Sequence, residues 1–461
     1  MTFKITPVLF LSLLAMLFLV ASTDAQTSRP TNYDESLVPE YVLPELLVCE
    51  DGTKVEDVET WTEKRRPEIM QLFEEYVYGK TPAGAPDTMR FDVVEVDDDA
   101  IDGVAIRKQV TISFWEDDSA PKLNLLVYLP KSSVDTPCPM FLGPNFGGNH
   151  TITSEPEVPV TTSWVRDKNG AGNIATEASR GAASSRWPVA DIVARGYGVA
   201  TYYYGDIDPD YHDGFQDGIH PEFYSEGQTK PDSDEWGSIG AWAWGLSRAL
   251  DYLETDKLVN AEKVAVLGHS RLGKTSLWAG AQDERFAIVI SNDSGCGGAA
   301  LHRRAYGEMV GRINGSFPHW FCDNFNEYND NEGECPVDQH MLIALMAPRP
   351  CYVASAQEDR WADPRGEFLS AYHAGPAYEL FGLEGVGVDE MPEVDEPASV
   401  TVGYHVRSGG HDVKDFDWEQ YMNFADRHYA PRETQSLMMM VTPRIIIQEE
   451  EEERIGLGID P

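Results

Sequence analysis

The sequence predicts an α/β fold of three layers, in which helices cover both faces of a mostly parallel central sheet. From Tyr197 onward, apolar stretches of strand length alternate with segments of helical periodicity. Such alternation favours parallel strands, because each crossover helix returns the chain to the same edge of the sheet. The length of 461 residues, of which 42% are hydrophobic, suffices for one large core. Since no repeat or linker divides the chain, we expect one domain over residues 46–431.

The first part of this domain predicts one helix and several strands. Apolar residues recur at helical spacing between Trp61 and Tyr78. The predicted strands are Phe91–Val96, Val104–Phe114, Leu123–Leu129 and Pro139–Leu142. The first three alternate or run apolar as strands of an antiparallel or mixed sheet do. An irregular segment follows over about residues 150–190, and loops of that length inside a domain are usually functional.

The second part of the domain repeats the order of strand and helix. The predicted strands are Val199–Tyr204, Val264–Leu267, Phe286–Ser291, Pro350–Ser355 and Val400–Val406. The predicted helices are Ile239–Leu253, a helix that starts just after Ser270, Gly366–Leu380 and Trp418–Tyr429. This half of the chain therefore supplies the parallel strands and most of the covering helices.

The two ends of the chain differ from the domain in composition. Lys4 precedes an apolar run from Val8 to Val20, and small residues follow up to Ala25. This is the pattern of a secretory signal peptide over residues 1–25, and the run is short for a membrane anchor. We therefore expect a secreted or periplasmic protein without a membrane span. Residues 26–45 form a polar lead-in, and residues 432–461 form an acidic C-terminal tail.

The charge and cysteine content exclude several classes of protein. The 77 Asp and Glu residues outnumber 36 Lys and Arg, for a net charge of −41, whereas nucleic-acid binding requires basic patches. Six cysteines are too few for a disulfide scaffold. Cys322 and Cys335 are close enough in sequence for a loop disulfide, but their pairing does not follow from spacing. No group of Cys and His residues has zinc spacing, so we predict no metal site.

The strongest local signal for chemistry is the segment Val264-Ala-Val-Leu-Gly-His-Ser-Arg-Leu-Gly-Lys274. A predicted strand leads into Gly268, and a helix begins just after Ser270. On so sharp a turn the serine Oγ projects above the sheet, where the helix N-terminus favours negative charge. The general pattern has its second glycine at the position of Leu272, and here it is displaced by one. Taken alone, this segment is equally consistent with Ser270 as an ordinary helix N-cap.

A histidine near the C-terminus favours the catalytic interpretation. A nucleophilic serine needs a base and an acid, which α/β-hydrolases carry in the chain order Ser, acid, His, after successive strands. His411 lies in Ser408-Gly-Gly-His-Asp412, directly after the last predicted strand. The other histidines considered, none of which follows a strand at the right place, are His319, His340 and His373.

Two carboxylates are candidates for the acid. Asp359 follows the strand Pro350–Ser355, which is the usual location, and Asp293 follows the preceding strand. We favour Asp359 and keep Asp293 as the alternative.

The nucleophile segment resembles that of the glucuronoyl esterases, carbohydrate esterase family fifteen. The similarity covers about residues 40 to 430. The segments that carry it are Gly268-His-Ser-Arg-Leu-Gly-Lys274, Arg186-Trp-Pro188, Gly205-Asp-Ile-Asp-Pro-Asp210, Ser294-Gly-Cys-Gly-Gly298, Pro318-His-Trp-Phe-Cys322, Glu358-Asp-Arg-Trp-Ala-Asp-Pro364 and Gly409-Gly-His411. So many short matches in one order are more specific than a lone serine motif.

The resemblance implies the machinery of acyl transfer. Ser270 would be the nucleophile and His411 the base, while Arg271 would supply its backbone N–H and its guanidinium to the oxyanion. A donor aimed at that charge contributes about 3–4 kcal/mol.

The resemblance also bears on the acid and on sugar binding. Asp293 and Asp359 match the two positions from which family members supply the acid. The first is commonly Glu in the family, so the shorter Asp293 again favours Asp359. The positions that hold the sugar in the family correspond to Lys274, Glu308 and Trp361. The cation and the carboxylate would bind hydroxyls, and the indole would lie against the sugar ring.

The implied substrate is an ester of glucuronic acid or of its 4-O-methyl ether, as in the links between glucuronoxylan and lignin alcohols. An acyl-enzyme would form on Ser270, and no cofactor is needed. Three alternatives remain at this stage. They are another secreted carbohydrate esterase of the acetyl-xylan or pectin methyl esterase type, a hydrolase of peptides or lipids, and a catalytically silent carbohydrate-binding protein on a hydrolase scaffold.

Overall fold

The structure is a computed structural model that describes residues 29–166 and 172–430. The predicted signal peptide and the acidic tail lie outside the described residues. The strands are β1 (Arg90–Asp99), β2 (Ala105–Ser113), β3 (Lys122–Pro130), β4 (Cys138–Asn145), β5 (Gly198–Tyr203), β6 (Val259–His269), β7 (Ile288–Asn292), β8 (Cys351–Ala356), β9 (Ala398–Ser399) and β10 (Val402–Arg407). The α-helices are α1 (Val58–Thr60), α2 (Arg66–Tyr76), α3 (Ala100–Gly103), α4 (Val189–Ala194), α5 (Ser238–Leu253), α6 (Arg271–Gln282), α7 (Val310–Ser316), α8 (Gln339–Ala344), α9 (Pro364–His373), α10 (Gly375–Glu379) and α11 (Asp415–Tyr429).

The ten strands form one sheet in the order β1-β2-β3-β5-β4-β6-β7-β8-β10-β9. The six neighbouring strands from β5 to β10 are parallel to one another. The pairs β1–β2, β2–β3, β3–β5 and β10–β9 are antiparallel. The predicted mostly parallel sheet is therefore confirmed. Of the two arrangements expected for the first strands, antiparallel or mixed, their pairs with one another are antiparallel.

Helices cover both faces of this sheet, as predicted. Successive side chains of a strand point to opposite faces, so Val264 and Val266 of β6 belong to one buried cluster and Ala265 and Leu267 to the other. Helices α2 and α5 to α10 contribute side chains to the first cluster. Helices α4 and α11 contribute to the second. The parallel strands are thus buried on both sides, which explains their continuous apolar runs.

Some local expectations differ from the structure. The helix predicted over Gly366–Leu380 is two helices, α9 and α10. Pro376, at the start of α10, has no N–H to donate to the preceding turn, so the helix is interrupted there.

All six cysteines lie within the described residues as buried free thiols, so the disulfide considered between Cys322 and Cys335 is not formed. Burial raises the pKa of each of these two thiols to about 12. No helix among the described residues combines the length and the apolarity needed to cross a membrane.

The described part of the lead-in packs on the domain. The backbone N–H of Gly307 donates to the carbonyl oxygen of Asn32 (2.8 Å). Arg304 donates to the carboxylate of Glu35 at 2.7 Å. The lead-in therefore borders the segment that carries Glu308.

Candidate active site

Ser270 lies on a strained turn between β6 and α6. Its φ is 58°, a left-handed conformation that is rare for residues other than glycine. A Cβ on Gly268 would lie 1.8 Å from the carbonyl oxygen of Leu272, so only glycine fits there. A Cβ on Gly273 would come within 3.0 Å of the Ser294 side chain. The position at which a side chain would be crowded is therefore 273 rather than 272. This explains why the second glycine of the motif is displaced by one residue.

The helix N-cap interpretation of Ser270 has no support in the geometry. The serine precedes the first residue of α6, yet its side chain makes no capping hydrogen bond. Its backbone N–H donates to the carbonyl oxygen of Asn292 at the end of the adjacent strand β7 (2.8 Å). The hydroxyl is left for chemistry above the carboxyl edge of the sheet.

His411 and Asp359 meet at the same edge. They follow β10 and β8, which are neighbouring parallel strands. Nδ1 of His411 donates to Oδ2 of Asp359 at 2.6 Å. The acid side chain is 6% exposed and the imidazole 41% exposed. This bond fixes the ring so that Nε2 is the nitrogen free to accept a proton.

Asp293, the alternative acid, lies beside this pair but has other partners. Its carboxylate, that of Asp359 and the His411 ring nitrogen lie within 4.8 Å of one another. Arg407 contacts Oδ2 of Asp293 at 3.5 Å. Within the described chain, the buried Oδ1 of Asp293 has no hydrogen-bond partner. Burial raises the pKa of this carboxyl well above its usual range, and the nearby carboxylates of Glu367 and Asp359 raise it further.

His269 connects the base to the nucleophile turn. Its ring packs against that of His411 with centroids 4.4 Å apart, and Nδ1 of His269 donates to Oδ1 of Asn292 at 2.6 Å. Burial and the nearby His411 lower the pKa of His269 well below its usual range, so its ring is neutral. Among the described residues, no hydrogen bond joins the Ser270 hydroxyl to His411. In unliganded enzymes such bonds are often long and tighten only when substrate binds.

Arg271 is the first residue of α6, so its backbone N–H belongs to a helical turn that lacks intrahelical acceptors. Its side chain is 19% exposed and forms an ion pair with the fully buried Asp210. The guanidinium carbon lies 4.7 Å from the centroid of the Trp320 ring. Arg271 thus supplies a backbone N–H donor and a cationic side chain directly after Ser270.

The three residues expected to bind sugar form one connected group. Nζ of Lys274 donates to Oε2 of Glu308 (3.0 Å) and to the carbonyl oxygen of Ser294 (2.6 Å). Nε1 of Trp361 donates to Oε1 of Glu308 at 3.1 Å. Lys274 and Glu308 are buried, whereas Trp361 is 37% exposed. Glu308 therefore orients both a cation and an indole.

The rival histidines have structural partners. Nε2 of His319 donates to Asp210 at 3.0 Å, and Nε2 of His340 bonds to the carbonyl oxygen of Pro44 at 3.1 Å. His373 is half-buried in the last turn of α9. Sequence reasoning singled out neither His269 nor Asp210 as part of the site, although both lie in segments that carry the resemblance.

The sheet order and the serine turn define an α/β-hydrolase. The family model described as glucuronyl esterase of fungi matches residues 193–382. Carbohydrate esterase MZ0003, from an unknown prokaryotic organism, is 54% identical over 403 residues, which cover 87% of this chain and 92% of that protein.

Two solved structures agree with these matches. A promiscuous CE15 esterase from a marine bacterial metagenome is 54% identical, with a TM-score of 0.81, and covers 87% of this chain and 100% of its own. A glucuronoyl esterase from Solibacter usitatus is 50% identical, with a TM-score of 0.82, and covers 86% of this chain and 100% of its own. The chain belongs to carbohydrate esterase family 15, the glucuronoyl esterases.

Proposed function

We propose that this protein hydrolyses esters of glucuronic acid and of its 4-O-methyl ether through an acyl-enzyme on Ser270. The observation that carries the proposal is the 2.6 Å hydrogen bond from His411 to Asp359 at the edge of the sheet where the Ser270 turn lies. Acyl transfer requires a base that a buried acid holds in place and a serine whose hydroxyl is free to react. Here the serine lies on a strained turn, and its hydroxyl does not cap the helix.

The reaction has two steps. The Ser270 hydroxyl attacks the uronate carbonyl carbon and gives its proton to Nε2 of His411. The negative oxygen of the tetrahedral intermediate accepts hydrogen bonds from the backbone N–H and the guanidinium of Arg271. His411 then protonates the departing alcohol, and the acyl-enzyme remains. In the second step, water attacks the acyl carbon and gives a proton to Nε2 of His411. When the bond from the acyl carbon to Oγ of Ser270 breaks, His411 returns this proton to Oγ, and the free uronate and the Ser270 hydroxyl are released.

The group of Lys274, Glu308 and Trp361 supports a sugar as the acyl portion. Lys274 lies in the first turn of α6, and Ser270 directly precedes this helix, so a ligand bound to the Lys274 ammonium group lies near the nucleophile. Glu308 offers carboxylate oxygens as acceptors for hydroxyls, and the exposed indole of Trp361 offers a flat apolar face. Charged and aromatic groups of this kind favour a carbohydrate over the apolar substrates of lipid hydrolases.

We further propose that the natural substrate is an ester that joins glucuronoxylan to a lignin alcohol. Export directed by residues 1–25 would bring the enzyme to such polymers, in the periplasm or outside the cell.

Kinetics on benzyl glucuronate and on an acetylated sugar test the proposal. The wild-type protein should prefer the glucuronate ester, and Ser270→Ala should lower kcat at least about 1,000-fold. A preference for the acetylated sugar would favour an acetyl-xylan type of esterase instead. Full activity of Ser270→Ala would reject Ser270 as the nucleophile.

A further inference from the structure

Asp210 is a buried carboxylate that has no role in the two steps above. It follows β5, and its side chain is 0% exposed. The side chains that donate hydrogen bonds to it are His319 (3.0 Å) and Trp320 (2.8 Å) on Oδ1, and Tyr204 (2.9 Å), Arg166 (3.0 Å) and Arg271 on Oδ2. Burial alone would raise the pKa of Asp210, but these hydrogen bonds and the two arginine charges lower it below its usual range. The carboxylate is therefore charged.

The direction of the Arg271 guanidinium depends on this carboxylate. Three aromatic rings lie around the cation, with centroids 4.7 Å (Trp320), 5.5 Å (Phe317) and 5.8 Å (Phe146) from the guanidinium carbon. Rings attract a cation but do not determine which N–H points where. Asp210 binds Nη1 and thereby fixes the rotation of the planar group. In the part of the chain that the structure describes, Nη2 makes no hydrogen bond, so it is left for substrate.

We propose that Asp210 is a positioning residue that holds the Arg271 guanidinium toward the oxyanion formed on the ester carbon. The inference rests on the proposed function, in which Arg271 stabilises that oxyanion. Donors that already point at the developing charge lower the barrier most, because nothing has to reorganise during the reaction. An unanchored arginine samples many rotamers, and the rate then falls even though substrate still binds.

A purely structural role for Asp210 makes a different prediction. Its partners Arg166, His319 and Trp320 belong to two segments that it ties to the end of β5. Loss of such a tie would disturb the fold or the substrate cleft whether or not Arg271 is present. The effects of removing Asp210 and Arg271 would then be independent of each other.

A double-mutant cycle separates the two roles. Asp210→Asn, Arg271→Ala and the double variant are compared with wild type for kcat and KM on benzyl glucuronate. Arg271→Ala should lower kcat about 100-fold or more. Asp210→Asn should lower kcat at least about tenfold while KM stays within about threefold. The double variant should be no slower than Arg271→Ala alone, because residues that act as a unit are not additive.

Asp206→Asn is the matched control, since it is the same change four residues earlier in the same loop. Asp206 accepts hydrogen bonds from Ser163 (2.7 Å) and Asn124 (3.2 Å) and forms no ion pair with Arg271 among the described residues. The kcat of Asp206→Asn should stay within about threefold of wild type. A kcat loss in Asp206→Asn as large as that in Asp210→Asn would indicate a general disturbance of the loop and overturn the inference.

The outcomes distinguish the two proposals. A double variant whose loss equals the product of the single losses would overturn the role of Asp210, and so would a wild-type kcat in Asp210→Asn. A wild-type kcat in Arg271→Ala would instead reject the oxyanion role of Arg271, and the inference with it. If circular dichroism shows that Asp210→Asn does not fold, Asp210→Glu takes its place in the cycle, with the same criterion of non-additivity.

Discussion

Replacing Asp359 with Asn removes a negative charge from beside His411 while keeping nearly the same side-chain shape. The bond that is lost measures 2.6 Å and ends on a carboxylate that is 6% exposed. A hydrogen bond to a charged partner contributes about 1.5–3 kcal/mol. The imidazole becomes positive in the transition state, so the missing charge weighs more there than in the substrate complex. We expect kcat to fall at least about 100-fold, or ~2.7 kcal/mol of barrier.

Asp293→Asn is the matched control for this prediction. Burial and the neighbouring carboxylates of Glu367 and Asp359 raise the pKa of Asp293, so removal of its charge by Asn disturbs the site less than the same change at Asp359. We expect kcat to fall less than about fivefold. The assay is steady-state hydrolysis of benzyl glucuronate at neutral pH, with thermal unfolding of each variant measured alongside. Equal losses in the two variants, or near wild-type turnover in Asp359→Asn, would refute the assignment of the acid.

Three further predictions concern stability and binding. Gly268→Ala should cost about 3 kcal/mol or more in unfolding free energy, since its Cβ meets backbone, while Gly315→Ala, with nothing within 4 Å, should cost nothing. Equal melting temperatures of the two variants would contradict this. Trp361→Ala should lower kcat/KM on benzyl glucuronate about tenfold and leave the melting temperature nearly unchanged; an unaltered kcat/KM would exclude contact with the sugar. Burial raises the pKa of Glu367 to about 8, above its unfolded value. The folded state therefore resists losing this proton, and the wild-type unfolding free energy should fall between pH 5 and 8 by up to roughly 1 kcal/mol per pH unit. Denaturant unfolding of Glu367→Gln should show a smaller fall, and an equal fall would reject the effect.

The parallel strands of the sheet could be predicted because a short, continuous stretch of the sequence encodes each of them. Strands such as β7 and β8 are apolar runs buried on both faces, and each is followed by a polar residue at the carboxyl edge. The start of β6 at Val259 was missed because its first residues, up to Lys263, are mostly exposed or half-buried and polar. The interruption between α9 and α10 was also missed, although Pro376 was visible in the sequence, because apolar periodicity continues across it.

The partners of the site residues could be predicted only in part. Ser270, Asp359 and His411 follow from strand order, since parallel strands deliver their loops to one edge. The link between Asp210 and His319 joins residues 109 positions apart, and no local pattern encodes it. The one feature of the sequence that pointed to this contact was the run of aspartates that ends at Asp210, directly after a predicted strand. Three aspartates at the carboxyl edge of the sheet require hydrogen-bond or ion-pair partners, but the sequence does not indicate which residues these partners are.

The order of the strands also separates the residues proposed to act on the oxyanion from those proposed to transfer the proton. Asp210 follows β5 and Ser270 follows β6, whereas Asp359 and His411 follow β8 and β10, on the far side of β7. Asp210, which we propose positions the oxyanion-binding Arg271, thus lies on one side of the Ser270 turn, and the proposed acid and base lie on the other. Changes at Asp210 should therefore lower kcat/KM by the same factor at every pH, because they act on the direction of the Arg271 guanidinium and not on the group that accepts the proton. Changes at Asp359 should instead alter the shape of the pH profile, because they act on the group that accepts the proton. A pH profile that changes shape in Asp210→Asn and keeps its shape in Asp359→Asn would contradict this division.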